Sequence, residues 1–150
     1  MKKMLFVAGL ALGLSGCVTA PAYIPLENSR DIALSKDAAW SNLVEYFASS
    51  NISIRTIEKD SGILTAERVY DQGYQLSSYA DCGAAAMLAP INGSVELNVF
   101  VRETASGVKA TVNARYHQRR ISAWDGRVTD TQCSSLGTLE RAVLNAIAKR

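Results

Sequence analysis

The sequence predicts an α+β domain: an antiparallel sheet of four to six strands with two helices packed on one face, in the order β-α-β-β-β-β-α. Three patterns predict it. Val95, Leu97, Val99 and Val101, then Val108, Ala110, Val112, Ala114 and Tyr116, alternate with polar residues, as strands with one buried and one wet face do. Two other stretches place apolar residues at helical spacing, near 36–49 and 135–149. Polar turn clusters separate these segments.

The chain opens with Lys2 and Lys3, an uncharged and mostly apolar run from Met4 to Leu14, and small residues after it. This is the build of a secretory signal peptide, and the run is short of the roughly 20 apolar residues a spanning helix needs. Leu14-Ser15-Gly16-Cys17 resembles the lipobox of bacterial lipoproteins. The resemblance implies cleavage before Cys17, a diacylglycerol on its sulfur and an acyl chain such as palmitate on its new amino group. Acyl chains bury methylenes at about 0.8 kcal/mol each, enough for stable anchoring when several act together. The competing readings are an uncleaved anchor and a signal cut at another small residue. Val18 follows Cys17 where an Asp would resemble an inner-membrane retention signal, so the resemblance implies the outer membrane, facing the periplasm. It divides the chain into a signal peptide (1–16), a lipidated N-terminus and flexible tether (17–30), and one periplasmic domain (31–150).

Residues 18–30 contain Pro21 and Pro25 and no clear period. Stretched, this tether spans up to about 40 Å and would let the domain stand off the bilayer. Residues 31–34 form a short extended segment. Ser35 is a helix N-cap, with Asp37 in the first turn, and Trp40, Leu43, Val44 and Phe47 make one apolar stripe on a helix over 36–49. Ile52, Ile54 and Thr56 alternate with polar neighbours. Lys59-Asp60-Ser61-Gly62 turns the chain, and Ile63–Tyr70 returns as the second strand of a hairpin. Residues 71–93 lack periodicity and read as a long loop, with part of Tyr74–Ala80 extended. The strong β hairpin follows, turning at 104–107, with its second strand running toward Trp124. Asp125-Gly126 is a turn, 127–133 a short return strand, and Ser134-Ser135 caps a final helix to Lys149.

Cys17 is claimed by lipid, which leaves Cys82 and Cys133 as a disulfide pair in an oxidising compartment. Lys2 and Lys3 account for the whole excess of 16 basic over 14 acidic side chains, so the mature chain is formally neutral. That balance gives no nucleic-acid footprint. The densest basic patch, His117-Gln118-Arg119-Arg120, reads as a solvated strand face.

No catalytic or metal constellation emerges, and no cofactor is expected. The only histidine, His117, falls on a polar strand face, and one histidine with two oxidised cysteines cannot build a zinc site. Asp60, Asp71, Asp81 and Asp125 lie at turns. A carboxylate pair joined by folding, such as Glu67 with Glu96, is not visible at this level.

The element order resembles the helix-grip and TATA-binding-protein-like modules of envelope lipoproteins. It is similar to the globular modules of the C lipoprotein subunit of the outer-membrane β-barrel assembly machinery, through topology and the Trp40 helix. The resemblance implies a non-enzymatic, protein-binding accessory role, with an envelope protein as partner. The contact surface is expected on the 71–93 loop at Tyr74, Tyr79, Met87 and Leu88, since aromatic and Met residues are enriched at interface cores. The alternative is a carrier or sensor of a small apolar ligand, held between helix and sheet by Trp40, Phe47 and the Val95–Val101 face.

Overall fold

The computed structural model of the protein describes residues 18–21 and 25–149; the expected signal peptide and Cys17 lie outside the described residues. In chain order the elements are β1 (Val18–Thr19), β2 (Ser29–Ile32), α1 (Lys36–Ser49), β3 (Ser53–Glu58), β4 (Ile63–Tyr70), a 3-10 turn (Gly73–Ser78), β5 (Ala80–Asp81), β6 (Ala84–Ala85), β7 (Leu88–Thr104), β8 (Gly107–Ser122), β9 (Val128–Ser135) and α2 (Thr138–Ile147). The protein is α+β, built on an open antiparallel sheet. Seven strands form that sheet, not the four to six expected, because the short strands β2 and β5 add to its edges; the path is β3-β4-β7-β8-β9-β5, with β2 also on β8. β7 occupies one edge of β8 over its whole length, so β2, on residues 108–111, and β9, on residues 116–121, share the other edge end to end.

Strand alternation decides which face is buried. Leu64 and Ala66 of β4 lie in register with Val99 and Leu97 of β7, and these with Val112 and Ala114 of β8. On this face both helices pack: Ala39, Trp40, Leu43 and Phe47 of α1, and Leu139, Val143, Leu144 and Ile147 of α2, are buried in a single core with it. Each large apolar side chain fully removed from water contributes about 1.5–3 kcal/mol. Ser35 caps α1 by accepting from the Ala38 N–H at 3.3 Å. Asn42 on α1 donates to the carbonyls of Ile147 at 3.1 Å and Lys149 at 2.8 Å, filling acceptors that the end of α2 leaves open.

Four further expectations need correction. The 18–30 stretch is not free chain throughout. Val18 and Thr19 pair with Ala85 and Ala84, Ser29 and Arg30 belong to β2, and the Asn28 carbonyl accepts from the Val112 N–H at 2.7 Å. Residues 71–93 are not a long loop: the 3-10 turn, β5 and β6 organise them, and β7 already begins at Leu88. Pro90 and Asn92-Gly93 look like turn residues in sequence, but a register shift between Pro90 and Asn92 absorbs the proline, which has no N–H to give to a ladder. Of Tyr74–Ala80 only Ala80, at the start of β5, is strand; Gly73–Ser78 is 3-10 helix. Ser134 and Ser135 end β9, and α2 starts after Gly137, whose positive φ of 73° makes the corner; there is no side-chain cap from either serine.

Candidate functional site

The helices cover only part of the inward sheet face. Toward its far end the inward positions of β8 are Tyr116, Gln118 and Arg120, two apart and therefore on one side of the strand. There the cover is the segment from the 3-10 turn to β6. Gln118 and Arg120 hold it. The Gln118 side chain donates to the Gly73 carbonyl at 2.8 Å. The Arg120 guanidinium donates to Gln118 Oε1 at 2.6 Å and to the carbonyls of Cys82 at 2.6 Å and Gly83 at 2.8 Å. Arg120 is only 7% exposed, while Arg119, its neighbour, faces water. The expectation that both arginines are solvated therefore fails for Arg120. Alternation forces one of the pair inward, and a buried cation is tolerable because neutral acceptors surround it.

Cys82 is fastened twice, its carbonyl to Arg120 and its sulfur to Cys133 in a disulfide with the Cα atoms 4.1 Å apart. Cys133 stands opposite Tyr116 on β9, so the disulfide ties the covering segment to the sheet edge. Gly83 has φ of +66°, and a Cβ there would run into the Thr19 carbonyl; a glycine lets β1 lie against this segment. Beside the disulfide is a cavity of about 710 Å³, lined by apolar groups such as Ala80, Leu88, Pro90 and Leu136 and by the polar side chains of Tyr74, Gln118 and Arg120.

The four expected contact residues separate. Tyr74 is 64% and Met87 59% exposed, and Leu88 is half-buried at the cavity. Tyr79 turns inward: it packs on the core with its ring 5.9 Å from that of Tyr70, and its carbonyl takes the Leu136 N–H. Tyr79 is thus half-buried and supports this end of the domain. The sequence reading missed Trp124, which is 87% exposed on the turn after β8, and Ile121 and Val128, exposed and directly opposite each other on β8 and β9. Their signal was available, since Ile121 stands one residue out of phase with inward Arg120.

Elsewhere, Glu67 and Glu96 are brought into direct register on the outer sheet face, with Arg115 opposite Glu96. Arg55 meets Glu67 at 2.9 Å, so the acids sit in a balanced row of charge rather than as an isolated pair. A shallow cavity of about 380 Å³ lies over them. His117 faces solvent and approaches Asp130 at 3.2 Å. Under α2, buried Glu140 accepts from Ser135 Oγ at 2.6 Å while its other oxygen has no partner. The Tyr116 hydroxyl nearby makes no hydrogen bond either; burial first, and the Glu140 carboxylate second, push its pKa up. Burial likewise raises the pKa values of Tyr70 and Tyr46.

Among the described residues, no group of three or more His, Cys, Asp or Glu side chains could hold a metal ion, and no helix is long and apolar enough to cross a membrane. Set against known proteins, the chain matches no family model and no curated sequence.

Proposed function

We propose that the chain is an envelope lipoprotein, acylated at Cys17 and held at the periplasmic face of the outer membrane. Its domain acts there without catalysis, as a protein-interaction or accessory assembly module. The observation that carries this reading is the use of the cysteines. Two of the three are joined in a disulfide that secures an exposed segment, which suits an oxidising compartment, and the third stands at the end of a lipobox-like sequence. The helix-grip or TATA-binding-protein-like arrangement belongs to the same proposal, supported by the two helices sharing one face of an antiparallel sheet. The stapled segment is the contact surface. It presents Tyr74 to solvent on a backbone held by Arg120, Gln118 and the disulfide, so little conformational freedom is left to lose on binding.

Crosslinking in intact cells tests the reading. A photoreactive residue at position 74 is expected to give a discrete protein adduct, and one at Asn113, on the outer sheet face, none. Equal or absent capture at both positions would contradict it.

A second reading, a carrier of a small apolar ligand, is favoured by the 710 Å³ cavity and not by the space first expected to hold it. Trp40, Phe47, Val95, Leu97, Val99 and Val101 fill the helix–sheet interior with their own side chains. Native mass spectrometry of protein drawn gently from cells distinguishes the two: a bound small molecule lost on a Leu88→Trp change supports the carrier.

A further inference from the structure

We propose that the end of the sheet carrying Met87, Ile121, Trp124 and Val128 rests on the bilayer surface, with Trp124 in the interfacial layer. The inference rests on the lipoprotein reading above. Its first support is the pairing of β1 with β6. Val18 and Thr19 pair with Ala85 and Ala84, so the chain at β1 is fixed to the covering segment. Cys17 precedes Val18 directly in the sequence. An acyl anchor at Cys17 therefore holds this end of the domain, and no other, against the lipid.

The second support is what that end displays. Two residues beyond Ala85, the Met87 carbonyl accepts from the Ala123 N–H at 2.8 Å, which places Met87 beside the Trp124 turn. Ala89, Ile121 and Val128 form one cross-strand row on the outer face next to it. Trp124 is the most exposed large apolar side chain of the described residues, at 87%, and Met87, Val128 and Ile121 are 59%, 42% and 38% exposed. Met87 adopts φ of +66°, a conformation other side chains than glycine and asparagine rarely hold, and it points the residue outward. Tryptophan favours the headgroup boundary, where its ring is apolar and its N–H stays wet.

The charges of this end identify the type of contact. Asp125 faces Arg127 at 3.7 Å, Asp130 faces His117 at 3.2 Å, and Arg119 stands opposite Asp130. The patch is close to balanced, so the side chains dock by apolar insertion and not by attraction to anionic lipid. Docking then survives high salt and does not need anionic headgroups.

The two tryptophans make the test direct, because Trp40 is buried in the core at 6% exposure and Trp124 is not. The acylated full-length mature protein is extracted and reconstituted into phosphatidylethanolamine–phosphatidylglycerol vesicles, with or without bromine on the acyl chains. Brominated lipid is expected to quench the Trp124 part of the emission and leave the Trp40 part. The Trp124→Phe variant is expected to show no quenching, and raised salt to change neither result. Acylated protein whose emission is the same in both vesicle types overturns the docking proposal and leaves the lipoprotein reading intact. A chain that mass spectrometry shows to carry no acyl group removes both.

Discussion

Reducing the Cys82–Cys133 disulfide is expected to destabilise the domain by about 4 kcal/mol. The two cysteines are 51 residues apart, and closing a loop of that size removes roughly that much unfolded-chain entropy at 25 °C. The native structure has a second hold on the same place, because Arg120 grips the carbonyls of Cys82 and Gly83 whether or not the sulfurs are joined. Reduction should therefore leave the fold intact and act through the unfolded state. In urea, with a slope of about 2 kcal/mol per M for a domain of this size, the midpoint falls by about 2 M on complete reduction. Arg120→Met acts on the other side of the equilibrium. It strips three charge-assisted hydrogen bonds and leaves two carbonyls and the Gln118 Oε1 without the guanidinium, at about 3 kcal/mol. The oxidised variant and the reduced parent are then separable by kinetics. The former mainly unfolds faster and the latter mainly folds more slowly. A midpoint that moves by less than about 0.5 M on full thiol release would refute the loop-entropy reasoning.

Other consequences follow from single residues. Tyr116→Phe removes a hydroxyl that has no hydrogen-bond partner, and its cost is expected to be under about 1 kcal/mol by denaturant titration. Tyr46, Tyr70 and Tyr116 all titrate higher in the folded protein than unfolded, so the stability tied to their neutral forms is intact below about pH 10 and declines as pH rises beyond it. Tyr116→Phe should flatten that alkaline decline; an unchanged slope would count against a buried Tyr116. Gly93→Ala drives a methyl into the fully buried side chain of Leu76, and overpacking of this kind costs about 1–3 kcal/mol, read as a lower melting temperature. Asn42→Ala strips two hydrogen bonds from the end of α2 and is expected to cost about 1 kcal/mol, with faster amide exchange in residues 144–149.

What could be read from the chain depended on whether a local rule stood alone or had a competitor. The α1 stripe and the β7–β8 alternation had none, and Trp40, Phe47, Val95, Leu97, Val99 and Val101 lie in the core as the period requires. The first half of β7 had one, since Pro90 and Gly93 are turn residues everywhere except at a bulge and at a close approach, here to Leu76. The two serines before α2 satisfy an N-cap rule, yet the cross-strand partners of Ser134 and Ser135, Asp81 and Ala80, kept them in β9. Of the candidate site, the disulfide was legible from the cysteine count and from the oxidising compartment that the lipobox resemblance implies. Arg120 was not, although its alternation with Arg119 implied that one of them points inward. The register of Glu67 with Glu96 depends on the pairing of strands 29 residues apart at that point, which no local pattern specifies.

The anchor carries the account, and the intact mass of the native protein tests it most directly. Protein extracted from membranes and kept unreduced is expected to begin at Cys17, to carry a diacylglyceryl group and an acyl chain on that residue, and to lack the thiol hydrogens of Cys82 and Cys133. A soluble chain that retains Met1–Gly16, bears no lipid and has its cysteines reduced would contradict it.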